Sequence, residues 1–108
     1  MQELSLTVPI TLFGAAQLLR DRGWTTRQME HPDGRMCLVG AIQRYVAESG
    51  ISDPVVADNL ATDAVNAVTR ILWVIRCDKP HPTAWNDRYC TSVEDAIDVL
   101  ERAARVVA

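Results

Sequence analysis

The sequence lacks the features that mark several broad classes of protein. Basic residues are not in excess, since the formal net charge of the 108 residues is −3 at pH 7, so we do not expect nucleic acid as a main partner. No apolar run approaches the roughly 18 residues that a membrane span needs. Residues 1–11 lack the basic and apolar regions of an export signal. We therefore expect a cytoplasmic protein that makes no membrane contact.

Signatures of common catalytic sites are also missing. The chain has no glycine-rich phosphate loop, no G-x-S-x-G elbow, no H-E-x-x-H pair and no acidic pair placed for glycoside hydrolysis. We accordingly expect no cofactor. These absences favour a binding protein over an enzyme.

The composition that remains is that of an ordinary globular protein. Apolar residues make up 48% of the chain and charged residues 23%, and a chain of this length can bury one modest core. Neither an internal repeat nor a linker is present. Residues 1–108 are therefore predicted to form a single helical domain.

Apolar residues recur at helical spacing in two segments of the first half. Helix one is predicted over Ile10–Arg22, with Gly23 as its C-terminal stop, and helix two over Met36–Ser49. Between them, the sequence His31-Pro32-Asp33-Gly34 is typical of a type I turn. A short hairpin or an irregular loop is expected there.

Glycine inside a helix costs about 1 kcal/mol relative to alanine. Gly14 and Gly40 both fall inside predicted helices, so the sequence predicts a close backbone approach between helix one and helix two that offsets this cost.

The second half contains a long helical tract and a final helix. Asp53, which is followed by proline, predicts the start of the tract, and we predict a break near residues 59–62, where a threonine can cap a new helix. Two prolines predict a loop over residues 77–84, and a capping box at Thr91 predicts the start of the last helix. The expected fold is an all-α, compact irregular bundle of four to five short helices.

Cys37 stands at the first turn of helix two, where helix amides lower the pKa of a thiol. A cysteine enzyme also needs an imidazole and an orienting side chain, and the chain has only His31 and His81. A catalytic set of Cys37, His81 and either Asn86 or Asp87 is one hypothesis. The alternative, a small buried hydrophobe, is favoured because buried free cysteine is common.

A zinc site is a further hypothesis for the three cysteines. Cys77, His81 and Cys90 lie in one loop region, and Cys37 or His31 could complete four ligands. Structural zinc sites usually show two tight cysteine pairs, which are absent here, so no metal is predicted. A disulfide between Cys77 and Cys90 is disfavoured in a reducing cytoplasm.

The cluster Trp85-Asn86-Asp87 admits two interpretations. It could anchor a partner protein, or the indole could pack on the bundle while the two polar side chains bond nearby backbone amides and fold the loop into the last helix, as in Asx turns. The structural interpretation is favoured. Trp24 and Trp73 are likewise predicted to belong to the core.

Six short motifs follow one another along the chain: Leu18-Leu19, Gly23-Trp24, Asp33-Gly34, the run Cys37-Leu38-Val39-Gly40-Ala41-Ile42, Trp85-Asn86-Asp87-Arg88 and the alanine-rich segment 99–104. In this order they resemble a family of small uncharacterised actinobacterial and actinophage proteins. The resemblance covers about residues 10–106 and implies an actinobacterial or phage setting without implying any catalytic residue.

The functional prediction is a protein-binding or regulatory module whose surface is formed by residues 24–35 and 80–89. The partner is an unidentified protein, and self-association is an open alternative. A thiol-dependent enzyme based on Cys37 is the second hypothesis. Arg20 and Arg22, together with two arginines of the first loop, are predicted to be scattered surface charges rather than a basic patch. The candidate binding residues are Trp24, Arg27, Arg35, His81, Trp85, Asn86, Asp87 and Arg88.

Overall fold

The computed structural model describes residues 6–76 and 80–107, which form five α-helices. No strand occurs within these residues, so the predicted all-α bundle is confirmed. None of these helices combines the length and the apolar character that a membrane span requires. The helices are α1 (Val8–Arg22), α2 (Leu38–Glu48), α3 (Pro54–Ile75), α4 (Pro82–Arg88) and α5 (Val93–Val107).

Local chemistry sets both ends of α1. Thr7 is the N-cap, and its hydroxyl accepts a hydrogen bond from the Ile10 amide at 3.3 Å, so the helix begins before the predicted start. Gly23 ends the helix at a φ of 96°, and its N–H donates to the Leu19 carbonyl at 3.0 Å. The predicted apolar face is buried and consists of Leu12, Ala15, Ala16 and Leu19.

The long helix α3 begins as predicted but does not break. Asp53 caps it, since Oδ1 accepts from the Val55 amide at 2.9 Å. The break predicted near residues 59–62 is wrong, because α3 is continuous from Pro54 to Ile75. Its core-facing stripe crosses the predicted break and keeps the helix in place; the stripe includes Ala61, Ala64, Val65 and Val68.

The connection before α5 differs from the prediction in two respects. Pro82 occupies the first turn of α4, where the missing N–H costs no hydrogen bond, so a helix starts inside the predicted loop. Residues 77–79 lie outside the described part of the chain. The cap of α5 is one residue later than predicted, because Ser92 Oγ accepts from the Asp95 amide at 3.2 Å while Thr91 Oγ1 donates to the Asp95 carboxylate at 2.9 Å.

The antiparallel pair α1 and α5 forms the most extensive helix–helix contact of the bundle. Arg20 near the end of α1 binds Glu101 at 2.8 Å, and Val8 at the start of α1 lines the same groove as Val107 at the end of α5. Helices α2 and α3 pack against this pair, and the short α4 rests on α2 and α3. The largest fully buried apolar side chains are Leu12, Leu19, Met36, Leu38, Ile42, Val68, Leu72 and Leu100.

The two interior glycines permit two different close approaches. A Cβ at Gly14 of α1 would meet the ring of Tyr45 of α2, so the space beside this glycine is filled by a side chain and not by a close backbone approach of the two helices. Gly40 instead faces the backbone carbonyl of Met29. At that point α2 approaches the loop that follows α1, not α1 itself.

The segment between α1 and α2 is an irregular loop. Met36 forms two isolated β-bridges, parallel to Trp24 and antiparallel to Glu30, and the hairpin that was one of the two expectations does not form. The Thr25 amide also donates to the Met36 carbonyl at 3.0 Å. These bonds fold the loop back onto the start of α2.

The two tryptophans predicted for the core have different outcomes. Trp24 is partly buried and packs against the core. Trp73 is 48% exposed, because it lies on the outer face of α3, away from buried residues such as Leu72. The prediction for Trp73 is therefore wrong.

Candidate functional site

The two loop segments predicted as a binding surface, residues 24–35 and 80–89, lie side by side, and we call them together the loop cluster. Trp24 Nε1 donates to Asn86 Oδ1 at 2.7 Å across 62 positions of sequence. Asn86 Nδ2 in turn donates to the carbonyl of Thr25 at 3.1 Å. A side chain of α4 thus holds the loop that follows α1.

Asn86 is fully buried and uses both ends of its amide. Besides the indole of Trp24, Oδ1 accepts from the Leu38 amide at 3.1 Å, and Nδ2 donates to Thr25 and to Asp87 Oδ1, each at 3.1 Å. A buried amide with its hydrogen bonds satisfied fixes the geometry around it. These bonds reach the first loop and the start of α2, rather than folding the neighbouring chain as an Asx turn does.

The carboxylate of Asp87 stabilises an unusual backbone conformation at Arg27, in the loop between α1 and α2. Its Oδ1 accepts from the Arg27 amide at 2.8 Å. Arg27 has a φ of 69° and is the one non-glycine residue with positive φ in the part of the chain that the structure describes. Such a conformation costs about 1–3 kcal/mol, and the charge-assisted hydrogen bond offsets part of that cost. The side chain of Arg27 is exposed.

Three of the four arginines considered as a basic patch are paired with carboxylates at 2.7–2.8 Å. Arg20 pairs with Glu101, Arg22 with Glu48 and Arg35 with Asp33. Within residues 6–76 and 80–107, the guanidinium groups of Arg27 and Arg88 form no salt bridge, and both side chains are exposed. The positive charge of the loop cluster is therefore concentrated at these two positions.

The other predicted binding residues divide into buried and exposed groups. Trp85 is 7% exposed and belongs to the core. His81 is exposed and caps α4, where its Nδ1 accepts from the Thr83 amide at 3.1 Å. Trp85 and Asn86 are interior residues, Trp24 and Asp87 are partly buried, and the exposed ones are Arg27, Arg35, His81 and Arg88.

Cys37 is the N-cap of α2 and is 1% exposed. Its Sγ accepts from the Gly40 amide at 3.3 Å, and its S–H donates to Met29 Sδ at 3.6 Å. Burial raises the pKa of the Cys37 thiol and the Asp87 carboxylate raises it further, while the amides of Gly40 and Val39 act in the opposite direction. The balance lies above the ordinary pKa, so the thiol is protonated at neutral pH.

The hydrogen bonds of the hypothetical catalytic set are directed elsewhere. His81 Nδ1 accepts from Thr83, Asp87 accepts from a loop amide, and Asn86 is bound on both sides. Within the described residues, Cys37 forms no hydrogen bond with the side chain of His81, Asn86 or Asp87. The arrangement gives the thiol neither a base nor an orienting partner.

Thiol labelling tests whether Cys37 is reactive. In a Cys77→Ser/Cys90→Ala variant, we expect a maleimide probe to modify Cys37 only at the rate of unfolding, because the sulfur is buried and its pKa is raised. The measurement is labelling followed by mass spectrometry between pH 6 and pH 9. Rapid labelling of the folded protein near neutral pH would contradict this expectation and support the enzyme hypothesis.

The remaining metal and disulfide hypotheses concern residues that are only partly described. Cys90 is buried, its S–H donates to the Ser92 carbonyl at 3.2 Å, and burial raises its pKa to about 11. Cys77 lies outside the described residues. In the described ranges, no three His, Cys, Asp or Glu side chains are grouped to hold a metal ion.

An open groove of about 560 Å³ lies between the end of α1 and the start of α5. Trp24 lines it, so the indole that bonds Asn86 also forms a wall of the groove. No sequence motif predicted this feature, because it arises from the pairing of two helices at opposite ends of the chain. Its other lining residues are Leu19, Arg20, Gly23, Val93, Glu94 and Ile97.

Comparison with known proteins places the chain in a family without assigning an activity. No curated protein and no solved structure matches the chain significantly. Residues 4–106 match the Family of unknown function (DUF6197), and this range contains the whole loop cluster. The chain therefore belongs to the DUF6197 family of unknown function.

Proposed function

We propose that this chain is a protein-binding module that uses the loop cluster to hold an acidic segment of a partner protein. In this proposal residues 1–108 act as one helical domain in the cytoplasm, in an actinobacterial or phage setting. The proposed role is regulatory, because the module acts by binding its partner and not by catalysing a reaction.

The backbone of Arg27 is the observation that carries the proposal. Asp87 uses its carboxylate to hold this residue at positive φ, and Asn86 fixes the surrounding loop. A strained conformation in a loop that is tied down on both sides fixes the direction in which the exposed Arg27 side chain leaves the backbone. Strain of this kind clusters at functional sites, and a pre-organised arginine suits carboxylate recognition.

Exposed side chains of the loop cluster can supply apolar contacts. Met29 is 41% exposed and Tyr89 is 40% exposed, and the guanidinium of Arg76 lies 3.6 Å from the centroid of the Tyr89 ring. Arginine and tyrosine are enriched among the residues that contribute most to protein interfaces. An acidic segment with an apolar side chain therefore fits this surface.

The replacement Arg27→Gly separates binding from folding. Glycine adopts a positive φ without strain, so we expect the stability of the variant to match or exceed that of the wild-type protein. Removing the guanidinium should lower retention of the partner about fivefold or more. The measurement is affinity capture from an actinobacterial lysate at low ionic strength, quantified by mass spectrometry, with urea unfolding of each variant beside it.

Arg105→Ala is the matched control, because Arg105 is an exposed arginine on α5 that forms no salt bridge in the described part of the chain. It should retain the same protein as the wild type. Capture that does not depend on Arg27, or that falls equally with Arg105→Ala, would contradict the proposal.

A further inference from the structure

The first half of α3 contributes no fully buried side chain to the core. None of residues 54–63 is buried, whereas the buried residues of this helix all fall between Ala64 and Leu72. Val56 near the start of the helix is 52% exposed, and Val74 near its end is 82% exposed. Both ends of the helix therefore present exposed valines.

Six exposed residues of α3 share one face. At about 100° per residue, they fall within about 80° of each other around the helix axis. Their spacings of three and four residues are those of a seam between two helices. We call this set the pairing face; it consists of Val56, Asn59, Asp63, Asn66, Arg70 and Val74.

The pairing face borders an open groove of about 420 Å³. Asp63, Asn66 and Arg70 line the groove on the α3 side. Val8 and Val107 line it on the other side, at the ends of α1 and α5. A helix laid against α3 would therefore also contact apolar side chains of these two helices.

Along the pairing face an acidic residue precedes a basic one, so the face is complementary in charge to a second copy of itself that runs in the opposite direction. Asp63 and Arg70 are two helical turns apart, which is too far for a salt bridge within one helix, and neither forms a salt bridge in the described part of the chain. The first half of α3 with its cap carries Asp53, Asp58 and Asp63, and no Lys or Arg occurs between residues 45 and 69. The basic residues of the helix and its C-cap are Arg70 and Arg76.

We propose that the pairing face binds the same face of a second copy of this chain, with the two α3 helices antiparallel about a two-fold axis near Asn66. This arrangement places Asp63 of each helix within reach of the partner's Arg70. A parallel arrangement would instead set Asp63 against Asp63. Because a two-fold interface repeats each contact, one complementary pair supplies two salt bridges.

Charge exchange tests the pairing directly. Sedimentation equilibrium of the full chain from about 1 µM to about 500 µM should show a dimer, and Asp63→Arg or Arg70→Asp alone should weaken it about tenfold or more. The double variant Asp63→Arg/Arg70→Asp restores both pairs and should return the dissociation constant to within about threefold of the wild type. Val74→Ser should weaken the dimer about fivefold.

A matched control lies on the same helix but off the pairing face. Asp58→Arg makes the same charge change about 80° around the helix axis from the nearest pairing-face residue, and it should change the dissociation constant less than about threefold at physiological ionic strength. At concentrations where the chain is monomeric, the melting temperature of each variant should equal that of the wild type, since all these sites are exposed. A chain that is monomeric throughout, a dimer as sensitive to Asp58→Arg as to Asp63→Arg, or a double variant that stays dissociated would overturn the proposal.

Discussion

Replacing Asn86 with alanine should cost about 3–6 kcal/mol of unfolding free energy, a large share of the roughly 5–15 kcal/mol typical of a domain. The substitution leaves the indole N–H of Trp24 and the amide of Leu38 without an acceptor, and the carbonyl of Thr25 loses a donor. Each buried polar group left unpaired costs about 1–3 kcal/mol. The measurement is urea unfolding followed by circular dichroism.

Two controls distinguish this network from a general effect of removing an amide. Asn59 is an exposed asparagine of α3, so Asn59→Ala should change the free energy of unfolding by less than about 0.5 kcal/mol. Trp24→Phe removes one donor and leaves Asn86 Oδ1 bonded to the Leu38 amide, and should cost about 1 kcal/mol. A loss below about 1 kcal/mol for Asn86→Ala would show that the amide is not the structural centre of the loop cluster.

Gly40→Ala should destabilise the protein by about 3 kcal/mol, although alanine gains about 1 kcal/mol in helix propensity. The new Cβ would collide with the carbonyl oxygen of Met29, which is backbone and cannot rotate away. That carbonyl also accepts from the Cys37 amide at 3.1 Å, so a shift of the loop disturbs the start of α2 as well. Thermal unfolding of the variant beside the wild type measures the effect.

Gly14→Ala is the matched comparison, because its Cβ would meet the ring of Tyr45, a partly exposed side chain that can swing aside. A loss of about 1 kcal/mol or less is expected there. If the two glycine variants are equally stable, the close contact of the loop with α2 does not constrain the fold.

Helix ends were predictable wherever one residue determines them. Asp53 with the proline after it, and Gly23 with its positive φ, act on adjacent backbone groups, so their chemistry is visible in the sequence. The cap of α5 was misplaced by one position because Thr91 and Ser92 both carry a hydroxyl. The sequence does not show which of the two leaves the helical conformation.

The continuity of α3 depends on packing that a local pattern does not contain. A threonine can cap a helix, but a new start at that point would remove Ala61 and Val65 from their places against the core. The outward position of Trp73 has a similar origin. It lies at a helical spacing compatible with either face, and only the neighbouring helices determine which face is covered.

In the loop cluster, too, the sequence shows the local motif but not the distant residues that it contacts. The residues of the Trp85-Asn86-Asp87 motif were identified, and so was the alternative that they are structural. Their actual partners, Trp24 and Arg27, lie about sixty positions away in sequence. A hydrogen bond between residues so far apart in sequence produces no regular residue spacing. The buried amide network and the strained backbone of Arg27 are therefore visible only in the structure.

The pairing of α1 with α5 has a consequence for synthesis on the ribosome. Helix α1 has its main neighbour in α5, so the emerging polypeptide exposes the apolar face of α1 until residues 93–107 have been translated. Contacts of such long sequence separation slow folding. Nascent chains halted before residue 93 should therefore remain protease-sensitive.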